Sequence, residues 1–269
     1  MKLTRHSNLR QRGMTLIELL VVISIIAVLA GMLLPAMSGA KKRAQIMKAR
    51  KDMSDFKLSI TVYRSDYSRM PTSTGAQGSA NSGATAATKD FAYGSYGVAG
   101  FQSAAVTNNL PTLYEANNSE LALILTSTTA FPTSTNIVNV NHVKNVRKTQ
   151  YLTAKQVTGA QHGIGSDGVF RDPWLNPYIV TLDLNYDNFV APIRYRYQSM
   201  SQASGAQGLL GLLDRDPNNA DVNEFGVRDS VAIWSLGPDK KYDATIKANT
   251  AGVVGNQKVS NSDNIVSWQ

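Results

Sequence analysis

Apolar residues are unevenly distributed along the chain. Residues 14–34 are apolar except at Thr15, Glu18 and Ser24, and Gly31 is the only helix-weakening residue before Pro35. A run apolar on every face predicts a helix with no solvated side. Its 21 residues, at about 1.5 Å each, reach about 31 Å, enough to cross a bilayer core. After Pro35 the pattern becomes amphipathic. Ala40, Ala44 and Met47, then Met53, Phe56, Ile60, Tyr63 and Tyr67, recur mostly every three or four residues, which predicts a helix with one buried face. Pro71 disfavours helical geometry in the residue before it, so the helix is expected to stop near Met70.

Beyond that point periodicity weakens. Residues 73–89 are rich in Ser, Thr, Ala and Gly and read as a flexible loop or linker. Residues 118–125 have a helical look, with Asn118 or Ser119 as cap and Leu121, Leu123, Ile124 and Leu125 to bury. Residues 126–168 read as irregular apart from a short element at 137–140. Four segments rich in branched and aromatic residues and bounded by turn formers, 178–184, 193–198, 230–235 and 265–268, predict short antiparallel strands. Together these elements imply an α+β fold: a long N-terminal helix, transmembrane then amphipathic, against a small C-terminal sheet. The expected divisions are a leader (1–13), a membrane half (14–35) and an amphipathic half (36–70) of the helix, a variable insertion (71–168) and a sheet region (169–269).

Charge sharpens the reading of the amino terminus. The chain carries a net +8, and Lys2, Arg5, Arg10 and Arg12 contribute half of it within the first 13 residues. The rest of the chain has a charge balance ordinary for a secreted domain, so nucleic acid is not an expected partner. Basic residues before an apolar span hold the leader in the cytoplasm and send the carboxyl end outward. A second basic group, Lys41, Lys42, Arg43, Lys48, Arg50 and Lys51, reads as a solvated helix face or as a collar against lipid headgroups. An ordinary signal peptide, cleaved after Ser38-Gly39-Ala40, and a plain anchor both compete for the apolar run. Neither gains from Glu18, since a carboxylate inside a span costs up to about 3 kcal/mol. Glu18 therefore asks for a partner.

The segment Arg12-Gly13-Met14-Thr15-Leu16-Ile17-Glu18-Leu19-Leu20 resembles the cleavage and methylation motif of type IV prepilins. The resemblance implies that a prepilin peptidase cuts between Gly13 and Met14 and methylates the new amine of Met14. Gly13 suits the cut because it lets a protease approach the backbone. Pro35 stands where pilins commonly carry a helix-kinking proline. Glu18 would neutralise the amino terminus of a neighbouring subunit in the apolar bundle of a filament, fixing the register between subunits.

Two further segments resemble the major pseudopilin of type II secretion. Asp172-Pro173-Trp174-Leu175-Asn176-Pro177-Tyr178 resembles a family turn in which Gly is usual where Leu175 stands, and Ser235-Leu236-Gly237-Pro238-Asp239 with Ser262-Asp263-Asn264-Ile265 resembles the calcium loop. By that resemblance Asp239, Asp263 and the Leu236 carbonyl would hold calcium; a polar surface turn is the other reading. The implied function is a structural subunit of a pseudopilus: a single-pass inner-membrane protein with its C-terminal domain in the periplasm, then part of a periplasmic fibre. Its implied partners are copies of itself in a helical homopolymer, the prepilin peptidase, minor pseudopilins, the inner-membrane assembly platform and the membrane. The alternatives are a type IV pilus subunit for adhesion or DNA uptake, and a signal-anchored secreted binding or catalytic domain.

Other chemistry is thinly represented. Cysteine is absent, which excludes disulfides, thiolate metal sites and a Cys nucleophile. Asp183, Asn185 and Asp187, and Asp214, Asp216 and Asn218, imitate the opening of an EF-hand. Neither run has the sixth-position Gly or the twelfth-position Glu, so both read as turns. His6, His142 and His162 are scattered, and no hydrolase, zinc-protease or phosphate-loop motif occurs, so an enzyme is not expected.

Overall fold

The computed structural model describes residues 14–81, 90–95, 117–134, 138–159, 161–205, 207–216, 224–243, 246–254 and 257–268, without the side chains of 33–36, 38, 79, 251–254 and 257–259. The expected leader, Gly13 included, lies outside the described residues, as does Ile137 of the element expected at 137–140. The helices are α1 (Leu16–Tyr67), α2 (Thr74–Asn81), α3 (Ser119–Leu125) and α4 (Gln198–Ser201). The strands are β1 (Phe91–Tyr93), β2 (Gly163–Ile164), β3 (Phe170–Arg171), β4 (Ile179–Leu182), β5 (Gln202–Ser204), β6 (Gln207–Gly208), β7 (Leu213–Asp214), β8 (Phe225–Gly226), β9 (Val231–Ser235), β10 (Ala251–Val254), β11 (Gln257–Ser260) and β12 (Ile265–Val266). The chain divides into two compact units, 1–45 and 46–269.

In the first unit the described residues are almost entirely the opening of α1, and the helix runs through Pro35. Its large apolar side chains are exposed all round, from Leu16 at 81% to Val22 at 47%. Ser24 stays compatible with this surface because its hydroxyl donates to the Val21 carbonyl at 2.7 Å. Among the described residues no helix is long and apolar enough to cross a membrane. The described apolar side chains of residues 16–32 cover about 26 Å of rise, against a hydrocarbon core of about 30 Å.

In the second unit α1 buries Ala49, Met53, Phe56, Ile60 and Tyr63, alternating four- and three-residue steps that keep one face inward. Ala40, Ala44 and Met47 do not extend this face: all three are exposed. At about 100° per residue Met47 sits about 160° from Ala49, on the opposite side of the helix. The helix ends at Tyr67, and Ser68, at φ 53°, turns the chain left-handed while its N–H closes on the Arg64 carbonyl at 2.8 Å.

The central sheet has the order β1-β4-β9-β12, antiparallel throughout. Alternate residues of a strand face opposite sides. Val180, Leu182, Val231, Ile233 and Ile265 join the core formed with Met53, Phe56, Ile60 and Tyr63 of α1. Ile179, Ala232, Trp234 and Val266 face a second core with Val190, Tyr195, Met200, Leu212 and Phe225. Both faces of the sheet are covered, which is why β4 and β9 carry nearly continuous apolar residues, interrupted only by Thr181 and ended by Ser235. Trp234 meets Tyr195 edge-on at 5.0 Å, a geometry worth about 0.5–1.5 kcal/mol beyond buried area.

Three expectations are corrected. Residues 193–198 form turns and the start of α4 instead of a strand. Arg194 is left-handed at φ 74°, and the Arg196 and Tyr197 N–H groups fold back on Pro192 and Arg194. Residues 74–81, expected as part of a loop, form α2: Ser73 caps it, accepting the Ala76 N–H at 3.1 Å, and Ala76 and Ala80 bury one face. Helix α3 is where expected, but its N-cap residue Asn118 makes no side-chain cap. The Asn118 amide instead donates to the Phe170 and Tyr178 carbonyls and accepts the Phe170 N–H at 2.8 Å. Of the expected 137–140 element, Val138 and Asn139 lie in a turn and Val140 opens a 3-10 turn, Val140–His142.

Candidate functional site

At the head of α1, Thr15 and Glu18 form a reciprocal cap. The Thr15 N–H and hydroxyl both donate to Glu18 Oε2 at 2.8 Å, and the Glu18 N–H donates back to the Thr15 hydroxyl at 3.3 Å. This satisfies orphan N–H groups of the first turn. The sequence carries the signal, Thr-x-x-Glu before an apolar run, although the apolar surroundings alone present Glu18 as a partner-seeking charge. Glu18 is the sole acidic residue in this first turn. An exposed apolar rod therefore begins with one carboxylate, held by one oxygen. The basic residues Lys41, Lys42, Arg43, Lys48, Arg50 and Lys51 are exposed, and Lys51 pairs with Asp55 at 2.5 Å.

The second unit brings the other two motifs together. Asp172 is fully buried, and its Oδ1 accepts the Trp174 and Asn176 N–H groups, each at 2.8 Å. Its Oδ2 accepts the Asn176 amide at 2.9 Å and the Ser235 hydroxyl. The same Asn176 amide donates to the Gly237 carbonyl at 2.9 Å, and the Gly237 N–H donates to Ser235 Oγ at 3.0 Å. Burial raises the Asp172 carboxyl above the usual range, and these hydrogen bonds pull against it. Leu175, the departure from the resembled turn, sits at φ 75°. The turn keeps a conformation that suits glycine although a branched side chain occupies it.

Gly237, at φ 68°, lies so close to the Asp263 carbonyl that a Cβ would fall 2.2 Å from it. That approach joins the two stretches read as a calcium loop. The Asp239 N–H donates to Asp263 Oδ2 at 3.3 Å, while Asp239 accepts the Lys241 N–H at 2.9 Å and the Ser260 N–H at 2.8 Å. The structure thus brings Asp239 and Asp263 together. Leu236 contributes a buried side chain to the second core. Among the described residues no group of three or more His, Asp or Glu side chains converges as a metal set. Calcium takes six to eight oxygens, and two carboxylates fit one corner of such a shell.

The first EF-hand-like run is a turn; in the second, Asp214 ends β7 and Asn218 lies outside the described residues. Asp183 accepts the Asp187 N–H at 3.3 Å and the Asn188 N–H at 2.9 Å, and Asp214 accepts the Asp216 N–H at 3.3 Å. His6 lies outside the described residues, and the other two histidines stay apart: His142 lies against Ser127, and His162 Nε2 is 2.7 Å from Asp52, which also accepts the Tyr178 hydroxyl at 2.9 Å.

Residues 8–34 match the family described as the prokaryotic N-terminal methylation motif. In its N-terminal region the chain is similar to type II secretion system core protein G. It is 43% identical to that of Dickeya chrysanthemi over 63 residues, 23% of this chain and 41% of the relative. With that of Pectobacterium carotovorum it is 39% identical over 66 residues, 24% and 42% of the two chains. It is also 36% identical over 75 residues, 28% and 44% of the two chains, to a fimbrial protein of Neisseria meningitidis. The chain spans about two fifths of the length of the secretion relatives it matches. No solved structure matches it.

Proposed function

We propose that this protein is a structural subunit of a pseudopilus of a type II secretion-like system, cleaved between Gly13 and Met14 and methylated on Met14. Residues 14–35 store it in the inner membrane, and the C-terminal unit faces the periplasm until subunits assemble into a fibre. The observation that carries the reading is the exposed apolar rod of α1 with Glu18 alone in its first turn. An apolar helix exposed on all sides is complete only in lipid or among other apolar helices. In a bundle the Glu18 carboxylate neutralises the Met14 amine of a neighbour. The role is assembly, with no catalytic step. The methylation motif and the similarity to secretion core proteins support it; the similarity to a fimbrial protein supports a second reading, a surface type IV pilus. Calcium at Asp239 and Asp263 belongs to the proposal as a clasp on the loop they share.

The test is the intact mass and N-terminal sequence of the protein taken from its native membrane. N-methylated Met14 is expected; a terminus at Lys41 would overturn the reading in favour of a secreted domain. Glu18→Ala is expected to be cleaved normally and to lose fibres seen by electron microscopy, because an unpaired buried charge costs about 3–5 kcal/mol at each contact. Thr15→Val, which removes the capping hydroxyl and keeps the carboxylate, separates pairing from capping: it retains fibres. Fibres confined to the periplasm favour the pseudopilus over the surface pilus.

A further inference from the structure

Beyond the end of α1 lies a cavity of about 500 Å³ whose lining includes Arg69, Ser73, Glu120, Val138, Val143 and Lys144. That volume is within the usual range for small-ligand sites. Its polar groups are fixed before any ligand arrives. Glu120 is buried, and its Oε1 accepts the Tyr93 hydroxyl and the Ser73 N–H, each at 2.6 Å. The Lys144 backbone is pinned on both sides: its N–H donates to Asn139 Oδ1 at 3.2 Å, and its carbonyl accepts the Tyr63 hydroxyl at 2.6 Å. Arg69 follows the left-handed Ser68 that closes α1, and its guanidinium lies 5.8 Å from the centre of the Tyr67 ring.

Two cations thus line one cavity, and among the described residues neither Arg69 nor Lys144 is within ion-pair distance of a carboxylate. Their mutual cost is visible: burial, then the Arg69 charge, lowers the proton affinity of Lys144, with Glu120 opposing. The lining sets two basic groups, Arg69 and Lys144, against one carboxyl group, Glu120, leaving one basic group in excess, which a single carboxylate on a ligand balances. Val138 and Val143 supply an apolar wall, and Val143 is 59% exposed.

We propose that this cavity binds a carboxylate bearing a short aliphatic group, with the carboxylate between Arg69 and Lys144 and the aliphatic part against Val138 and Val143. Two sources share this chemistry, a free small carboxylate and the carboxyl end of a polypeptide. The site lies outside the rod of residues 16–32 and the Asp172 turn, so it stands or falls separately from the assembly reading.

The experiment is a titration of the full chain in detergent micelles, followed by the ¹³C-methyl resonances of its valines. The probes are isovalerate, isovaleramide, and a short peptide ending in valine as free acid and as amide. Saturable shifts of the Val138 and Val143 methyls are expected with the acids and not with the amides. Arg69→Gln and Lys144→Gln are each expected to weaken binding about tenfold, the scale of one charge-assisted hydrogen bond, with the melting temperature unchanged. Tighter binding of the peptide acid than of isovalerate assigns the site to a chain terminus, and equal binding assigns it to a free carboxylate. Equal shifts with acid and amide, or no shift with either acid, overturn the proposal.

Discussion

Helix α1 has one backbone and two surfaces. Residues 16–32 expose their apolar side chains on every side, whereas from Ala49 to Tyr63 one stripe is sealed against a sheet and the rest is mostly polar or charged, with Leu58 and Val62 the exposed apolar residues. The difference lies in the phase of the pattern. Where apolar residues occupy all angles, no folded face of the same chain covers them; where they recur in alternating steps of four and three, one sheet does. The first stretch is built for surroundings supplied from outside, the second for surroundings the chain supplies itself.

The largest expected effect tests that contrast directly. Phe56→Ala empties a site in the core and is expected to cost about 3–5 kcal/mol in denaturant unfolding followed by tryptophan fluorescence. Ile25→Ala, made in the same helix, is expected to leave that unfolding within about 0.5 kcal/mol. Equal losses would break the comparison. Next is Asp172→Ala, which strands the Trp174 and Asn176 N–H groups and the Ser235 hydroxyl; a loss of about 2–3 kcal/mol is expected by the same measurement.

Much of this is legible in sequence because it rests on periodicity. The Met53-Phe56-Ile60-Tyr63 face, β4, β9 and β12 follow from spacing and branched residues. Apart from α3, the insertion is not, because side-chain amides organise it. Asn139 and Asn145 are fully buried and donate to the Leu123, Ile124, Thr128 and Thr149 carbonyls, links with no period. Strands β5 to β8 have two or three residues each, too short to alternate visibly. Helix α2 is hidden by small residues, which bury a face without raising hydrophobicity. At the candidate site the motifs mark Glu18, Asp239 and Asp263; the fold alone shows Asp172 clasping Ser235.

A smaller effect concerns pH. Asp90 is buried and accepts the Ala191 N–H at 2.8 Å through one oxygen; burial, with the charges of Asp183 and Asp187 adding to it, raises its proton affinity well above the usual value. The folded form then keeps a proton that the unfolded chain releases above about pH 4. Stability from this group is complete below that pH and is lost as pH rises through the folded-state value. Asp90→Asn is expected to flatten the decline between acidic and neutral pH in melting curves, with Asp172 and Asp183, also raised by burial, keeping the remainder. Asp167, held low by its hydrogen bonds to Arg171, acts oppositely and matters only as pH falls below about 4. The smallest effect is Leu175→Gly, which relieves a left-handed branched residue and is expected to raise stability by about 0.5–1 kcal/mol in the same melts.

The order of the central sheet has a consequence in time. Its pairings join Phe91 to Leu182 and Ile265 to Ser235, and the face of α1 from Met53 to Tyr63 closes on strands far along the chain. Contacts between such distant residues form slowly, on the millisecond-to-second scale, whereas a helix propagates in nanoseconds per residue. The rod is finished long before the domain that shares its backbone, so during synthesis α1 waits with its inner stripe bare. Whatever shields Phe56 and Tyr63 in that interval decides how much of the protein reaches its folded form.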